Sequence, residues 1–232
     1  MKHLIPFAFL ALLAGCASTP TIPENNLTPI VTHTGGQRQG DTTLLYWYTS
    51  QQNRPVRLSD RVFAGDSGNY HSDYLWREGL LREIKRQGQA LDEQKLKPYT
   101  LHVRYDTRGS AVFQRYTLAG DVIPLTNGQL EQLRKEAEHG MAVVQQLREE
   151  DMAMVQGHWK QGKFYRCGDN RELSVTFNPV LSSQLAGQVA EYQDQGFMAV
   201  NGQVRRDSLT ASQLLVLKAP EMQCLAAPVL ID

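Results

Sequence analysis

Hydrophobic and polar positions along this chain fall into three regimes. An apolar run from Leu4 to Leu13 opens it, alternation with period two dominates from Thr43 to Leu118, and a helical period takes over near Gly128. Between the first two regimes almost nothing is available to bury. Pro20, Pro23 and Pro29 stand among Thr, Asn and Glu, and Gly35-Gly36 and Gly40 close the stretch, a composition that predicts a flexible tether.

The alternating region predicts strands. Leu44-Leu45-Tyr46-Trp47-Tyr48-Thr49 is short and aromatic, and Val56 to Phe63 can pair back to it after the Asn53-Arg54-Pro55 break. Gly65-Asp66-Ser67-Gly68-Asn69 reads as a turn. Beyond it, Tyr70, Tyr74, Trp76, Leu81 and Ile84 are interleaved with charges, as in strands with one wet face. Tyr99 to Tyr105 alternates cleanly, Asp106 to Gly109 turns it, and Ala111 to Leu118 returns as the other arm of a hairpin. Consecutive hairpins make an antiparallel meander whose apolar face needs a cover.

The helical segment, Gly128 to Gln156, is the expected cover. Thr126 and Gln129 fit a capping box, and Leu130, Leu133, Ala137, Met141, Val144, Leu147 and Met152 fall near one stripe. Gly140 is expected to weaken or bend the helix and Gly157 to end it. Glu149-Glu150-Asp151 diverge on a helix surface and read as a solvated face. From His158 onward the signals are those of a small barrel. Lys163 to Cys167 and Glu172 to Phe177 form a hairpin around Gly168-Asp169-Asn170, and Leu181, Leu185, Val189 and Tyr192 have helical spacing. Phe197 to Val200 then turn at Asn201-Gly202, and Leu214 to Leu217 make the last strand. The element order resembles an OB-type barrel.

The expected class is therefore α+β: an N-terminal antiparallel β-meander covered by one long α-helix, then a small OB-like β-barrel. The expected segments are a signal peptide over 1–15, a lipidated cysteine and tether over 16–41, the meander and helix over 42–157, and the barrel with a C-terminal tail over 158–232.

The first segment carries the most specific signal. Met1, Lys2 and His3 form a short positive region ahead of an apolar run of about ten residues, the anatomy of a secretory signal. That run is too short to span a bilayer, which takes about 20 apolar residues. Leu13-Ala14-Gly15-Cys16 then resembles the lipobox of bacterial lipoproteins, with a small pair directly before a cysteine. In that class the chain is cut before the cysteine, so Cys16 becomes the first mature residue and carries palmitate-type acyl chains. Several chains anchor stably, since each buried CH2 contributes about 0.8 kcal/mol. Ala17-Ser18 lacks the aspartate that commonly retains such proteins in the inner membrane, so the expected location is the outer membrane, facing the periplasm.

That location changes the reading of the other cysteines. Of 3 in the chain, Cys167 and Cys224 remain once Cys16 is acylated. In an oxidising compartment the pair reads as a disulfide closing a loop of about 58 residues, worth roughly 4 kcal/mol in the chain-entropy model. A metal site is the rival, but two cysteines with no nearby histidine pair lack the usual ligand count. Charge adds little: 24 basic residues balance 24 acidic ones, which offers no reason to expect nucleic acid as partner.

Catalytic and cofactor motifs are not found, and no catalytic, cofactor or metal residue is assigned. Gly65-Asp66-Ser67-Gly68 matches the nucleophile turn of some hydrolases in letters only, without the histidine and aspartate those sites need. His33, His71, His102, His139 and His158 show no zincin spacing. His71 and Asp73 can face the same way on a strand.

Taken together, the Leu13 to Cys16 start, the Val103-Arg104-Tyr105-Asp106 hairpin, the long helix and the Phe164-Tyr165-Arg166-Cys167 to Cys224 segment resemble a family of uncharacterised lipoproteins of enteric-type bacteria. That family carries a domain-of-unknown-function label, so the resemblance implies lipidation and little else. The expected function is a non-enzymatic accessory or binding module of the cell envelope, held to the membrane by its lipid and presenting a surface to an envelope protein partner. The alternative is a hydrolase of envelope material. A cleft converging two or more of Ser67, His71, Asp73 and His102 within hydrogen-bond reach would favour the enzyme, and a filled core with an exposed aromatic patch around Tyr46, Trp47 and Tyr48 would favour binding.

Overall fold

The computed structural model describes residues 29–230. Within them the chain is mostly β, with thirteen strands and two α-helices, which corrects the α+β expectation. The first eight strands are β1 (Ile30–Gln39), β2 (Thr42–Gln51), β3 (Arg54–Ala64), β4 (Gly68–Arg77), β5 (Leu80–Asp92), β6 (Lys95–Tyr105), β7 (Ala111–Leu118) and β8 (Asp121–Ile123). They form one sheet in sequence order, every pair antiparallel. Several connections are two-residue turns with positive φ at both positions, as at Gln52-Asn53 (50° and 60°) and Glu93-Gln94 (46° and 65°). That geometry matches the twist of the strands it joins.

α1 (Asn127–Glu149) follows, opened by the expected capping box: the Gln129 N–H donates to Thr126 Oγ1 at 3.3 Å and the Thr126 N–H donates to Gln129 Oε1 at 2.8 Å. Leu133, Ala137, Gly140 and Val144 form its buried stripe. Gly140 does not bend the helix out of the way; it lets it come close. A Cβ there would stand 2.8 Å from the Tyr46 ring and 2.9 Å from Leu58. The helix packs along β1, β2 and β3, while β7 and β8 stay largely exposed. The expected lid over the whole meander is therefore corrected. The helix reaches from Gly35 on β1 to Tyr105 at the end of β6, and the far edge of the eight-stranded sheet lies beyond it. The helix also ends earlier than its pattern suggested, because Asp151 turns the chain at φ 57° and Met154 to Gln156 already belong to the next strand.

That strand, β9 (Ala153–Lys160), is followed by β10 (Lys163–Arg166), β11 (Glu172–Phe177), α2 (Ser183–Tyr192), β12 (Gln195–Arg205) and β13 (Ser208–Lys218). These five strands close into a barrel in the order β10-β11-β13-β12-β9, with β11 and β13 parallel. The helix sits between its third and fourth strands. Phe164, Leu173, Met198, Val200 and Leu209 fill the interior.

The barrel rests on the sheet's other face. Leu45 and Trp47 of β2 share a core with Met154, Phe197, Ala199, Leu215 and Val216, while Tyr46 and Tyr48 join the core under α1. Burial on both faces explains why Leu44 to Tyr48 is apolar throughout instead of alternating. β1 lies in this junction. The buried Asn201 side chain on β12 donates to the Gly36 carbonyl at 2.7 Å and accepts from the Gly36 N–H at 3.1 Å. Cβ atoms at Gly35 and Gly36 would lie 2.7 Å from Leu147 and 2.6 Å from Leu215.

Two further expectations change here. Residues Ile30–Gln39, placed in the tether by composition, form β1. Asn201-Gly202, expected as a hairpin turn, lies inside β12, where Asn201 clasps β1 and Gly202 lets the Thr210 carbonyl approach to 2.5 Å of its Cβ position.

Candidate functional site

Cys16 and the lipobox lie outside the described residues. Cys167 and Cys224 are joined, with Cα atoms 5.9 Å apart, tying the end of β10 to the C-terminal segment. The hydrolase constellation does not assemble. Asp73 ion-pairs with Arg57 and accepts from Ser59, His102 pairs with Glu83 at 2.7 Å, and His71 meets Gln87 at 2.9 Å. Ser67 sits in the 3-10 turn Gly65–Ser67 ahead of β4. The aromatic patch is absent too: Tyr46, Trp47 and Tyr48 are all buried. Asp151 leaves the helix, and its carboxylate accepts from Gln203 at 2.6 Å.

The chemistry gathers instead on the face of the sheet under α1. Antiparallel register aligns Tyr46, Asp60, Ser72, Arg86, Leu101 and Tyr116 in one row across β2 to β7. Each position points inward by the same period-two rule that buries Leu58, Val62, Tyr74 and Ile84 beside it. At the centre, buried Arg86 donates to Ser72 Oγ at 2.8 Å, to Tyr74 Oη at 2.8 Å and to Glu136 Oε2 of α1 at 2.7 Å. Its guanidinium also lies 4.2 Å from the centre of the Tyr70 ring. Tyr74 Oη in turn donates to Asp60 Oδ2 at 2.9 Å.

The other oxygen, Asp60 Oδ1, is buried and has no hydrogen-bond partner within 3.5 Å among the described residues, although the hydroxyl of Ser72, its cross-strand neighbour, lies close enough to favour the ionised carboxylate. Burial pushes the Asp60 carboxyl above its ordinary range, against the lowering effects of Arg86, Ser72 and Tyr74. Burial likewise raises Tyr70, to about 12, and carries Tyr74 well above the ordinary phenol value. For Arg86, burial opposes the charge, yet charge interactions with Tyr74, Tyr70, Asp60 and Glu136 hold the guanidinium well above its usual value.

Two clefts open on either side of the Arg86–Glu136 pair. One, of about 430 Å³, is lined by Asp60, Tyr46, Tyr70 and Glu136, with Lys135 and His139 from α1. Its lip is a contact of 2.6 Å between Gln37 Nε2 and His139 Nε2. The other, of about 280 Å³, is more apolar and is lined by Arg86, Tyr99, Leu101, Tyr116 and Leu133. Among the described residues neither is lined by a serine or cysteine. A carboxylate acceptor, tyrosine walls and a buried cation suit recognition of a polar group.

Sequence patterning missed this cluster. Asp60, Ser72 and Arg86 look like ordinary polar residues on alternating strands, and only register reveals that all three occupy core positions. A second grouping was also missed: the ligating atoms of His158, Cys167 and Cys224 all lie within 4.8 Å of one another.

No match was found among curated proteins or among solved structures. A family model described as a protein of unknown function, DUF1481, matches residues 34–229, a span that takes in seven strands of the sheet entire, the helix over them and the whole barrel. With well over half its length matched, the chain belongs to the DUF1481 family of proteins of unknown function.

Proposed function

We propose that this protein is a lipid-anchored, non-enzymatic binding module of the bacterial cell envelope, facing the periplasm from the outer membrane. The cleft beside Asp60 receives a hydrogen-bond-donating group of an envelope partner. The anchor is supported by the lipobox at Leu13 to Cys16. The observation that carries the binding role is the Asp60 carboxyl, which lines a cleft roofed by α1 and whose Oδ1, sealed from solvent in the free protein, has no hydrogen-bond partner among the described residues. Leaving such a group unsatisfied costs about 1–3 kcal/mol, and a donor from outside would recover it. A donor on Oδ1 also favours the ionised carboxylate, so binding releases a proton from Asp60 wherever the empty site holds one.

The test places a photo-crosslinking amino acid at Gln132, an exposed position on α1 beside both clefts, in intact cells. A discrete envelope adduct is expected there, and none from the same probe at Arg115 on the sheet's outer face. Equal capture from both positions would refute the site. Cys16→Ser should release the protein from the membrane fraction and abolish acyl labelling, whereas unchanged fractionation would refute the anchor.

A further inference from the structure

The Cys167–Cys224 bridge stands beside an imidazole nitrogen. His158 of β9 directs Nε2 toward Cys224 Sγ at 3.7 Å, and its ring is set edge-on against Phe197, with centroids 5.4 Å apart. A tetrahedral zinc ion with Zn–S of about 2.3 Å and Zn–N of about 2.0–2.1 Å separates sulfur from nitrogen by ~3.6 Å and sulfur from sulfur by ~3.8 Å. The nitrogen–sulfur edge of such a site is therefore already in place. Only the two sulfurs must part, and a Cα separation of 5.9 Å leaves room for two adjacent ligands.

The backbone is arranged to keep the three together when the bridge opens. Cys167 follows β10, and its N–H donates to the Gln156 carbonyl across the hairpin at 2.8 Å, which fixes it near His158. Cys224 lies in the irregular C-terminal segment, which a separate clasp holds. The Gln156 side chain donates to the Leu225 carbonyl at 2.6 Å and accepts from the Leu225 N–H at 2.7 Å. Neither contact depends on the disulfide. Both cysteines border an open cleft of about 880 Å³ and Cys224 is exposed, so solvent has access to the bridge from that side.

We propose that reduction of this bridge creates a zinc site with His158, Cys167 and Cys224 as its three protein ligands and an open fourth position. A dithiol reductant supplies two electrons and two protons, becoming a disulfide itself while the two cysteines become thiols. Zinc then displaces the thiol protons, which pass to solvent, and is held by two thiolates and a neutral imidazole. Two thiolates and an imidazole suit zinc far better than magnesium or calcium, which take oxygen ligands. The oxidised protein has no thiolate to offer, so metal occupancy reports the redox state of the bridge. This site is separate from the cleft beneath α1 and does not depend on what occupies that cleft.

The experiment uses the full chain in detergent, reduced with a phosphine under anaerobic conditions and titrated with zinc against a chromophoric chelator. One zinc per chain is expected in the reduced protein and none in the oxidised protein. His158→Ala should weaken binding more than the roughly 10–100-fold typical of a lost outer-shell partner, and Cys224→Ser should abolish competition with the chelator. Cys16→Ser should bind as the parent does. Zinc should also raise the Tm of the reduced chain, because a ligand held by the folded state stabilises it. No uptake on reduction, undiminished uptake by His158→Ala, or a Tm lowered by zinc would each overturn the proposal, the last by showing that an unfolded chain is the binder.

Discussion

Arg86 shows how a charge is kept inside this fold. It is 9% exposed, and its guanidinium is matched by a serine, a tyrosine and the Glu136 carboxylate, with a second tyrosine ring under its face. Removing Arg86 leaves the buried Ser72 and Tyr74 oxygens each short of a donor and the part-exposed Glu136 without its cation, a cost of about 1–3 kcal/mol. Arg86→Met should therefore lower stability by about that amount in urea denaturation. A loss under about 1 kcal/mol would mean that the pair with Glu136 is worth no more than an exposed surface bridge.

Asp60 has the opposite character. Its folded-state carboxyl is raised by burial, so the native state holds the proton more tightly than the unfolded chain. Its contribution to stability is present below the unfolded carboxyl pKa and is lost as pH rises toward the folded value. Asp60→Asn, which keeps an acceptor for Tyr74, should remove this loss. The Tm difference between variant and parent should widen in the variant's favour from acid to neutral pH, and parallel curves would refute the assignment. None of this was legible from the strands singly. Alternation marks which residues share a face, but the row from Tyr46 to Tyr116 exists only through cross-strand register.

Among the elements, those specified by local chemistry were read correctly from sequence. The capping box at Thr126 and Gln129 is present, and Asp106 Oδ1 accepts from the N–H groups of Arg108 and Ser110 in the expected turn. Elements specified by distant contacts were misread. β1 has a tether's composition because its Gly35-Gly36 must fit between α1 and the barrel, and Asn201-Gly202 mimics a hairpin turn because Asn201 serves that same junction. His158 and Cys167 are too far apart in sequence to suggest a ligand pair, yet the β9–β10 hairpin brings them together. The junction makes a clear prediction. Gly36→Ala would set a methyl 2.6 Å from Leu215 and 2.9 Å from the Leu44 carbonyl, and should cost about 1–3 kcal/mol in thermal or urea unfolding. Gly187→Ala in α2, where nothing lies within 4 Å, should be neutral or stabilising. Similar effects at both positions would show that the junction is loosely packed.

Over the whole molecule, the sheet and the barrel are built around separate interiors but share the core formed by Leu45, Trp47, Phe197 and Leu215. A shared core and the Asn201 clasp couple their unfolding, so tryptophan fluorescence and backbone circular dichroism should report one coincident transition. Two separated transitions would show that the units fold independently. The recognition proposed above lies in the cleft where sheet meets α1, with Asp60 as the group that a partner satisfies. The most direct measurement is in-cell photo-crosslinking from Gln132 in the Asp60→Asn background, with folding verified by the unfolding transition. Replacing the free acceptor oxygen with a donor should abolish the adduct seen in the parent while leaving the protein folded and anchored. An adduct of undiminished yield from the folded variant would contradict the assignment of Asp60 as the seat of binding.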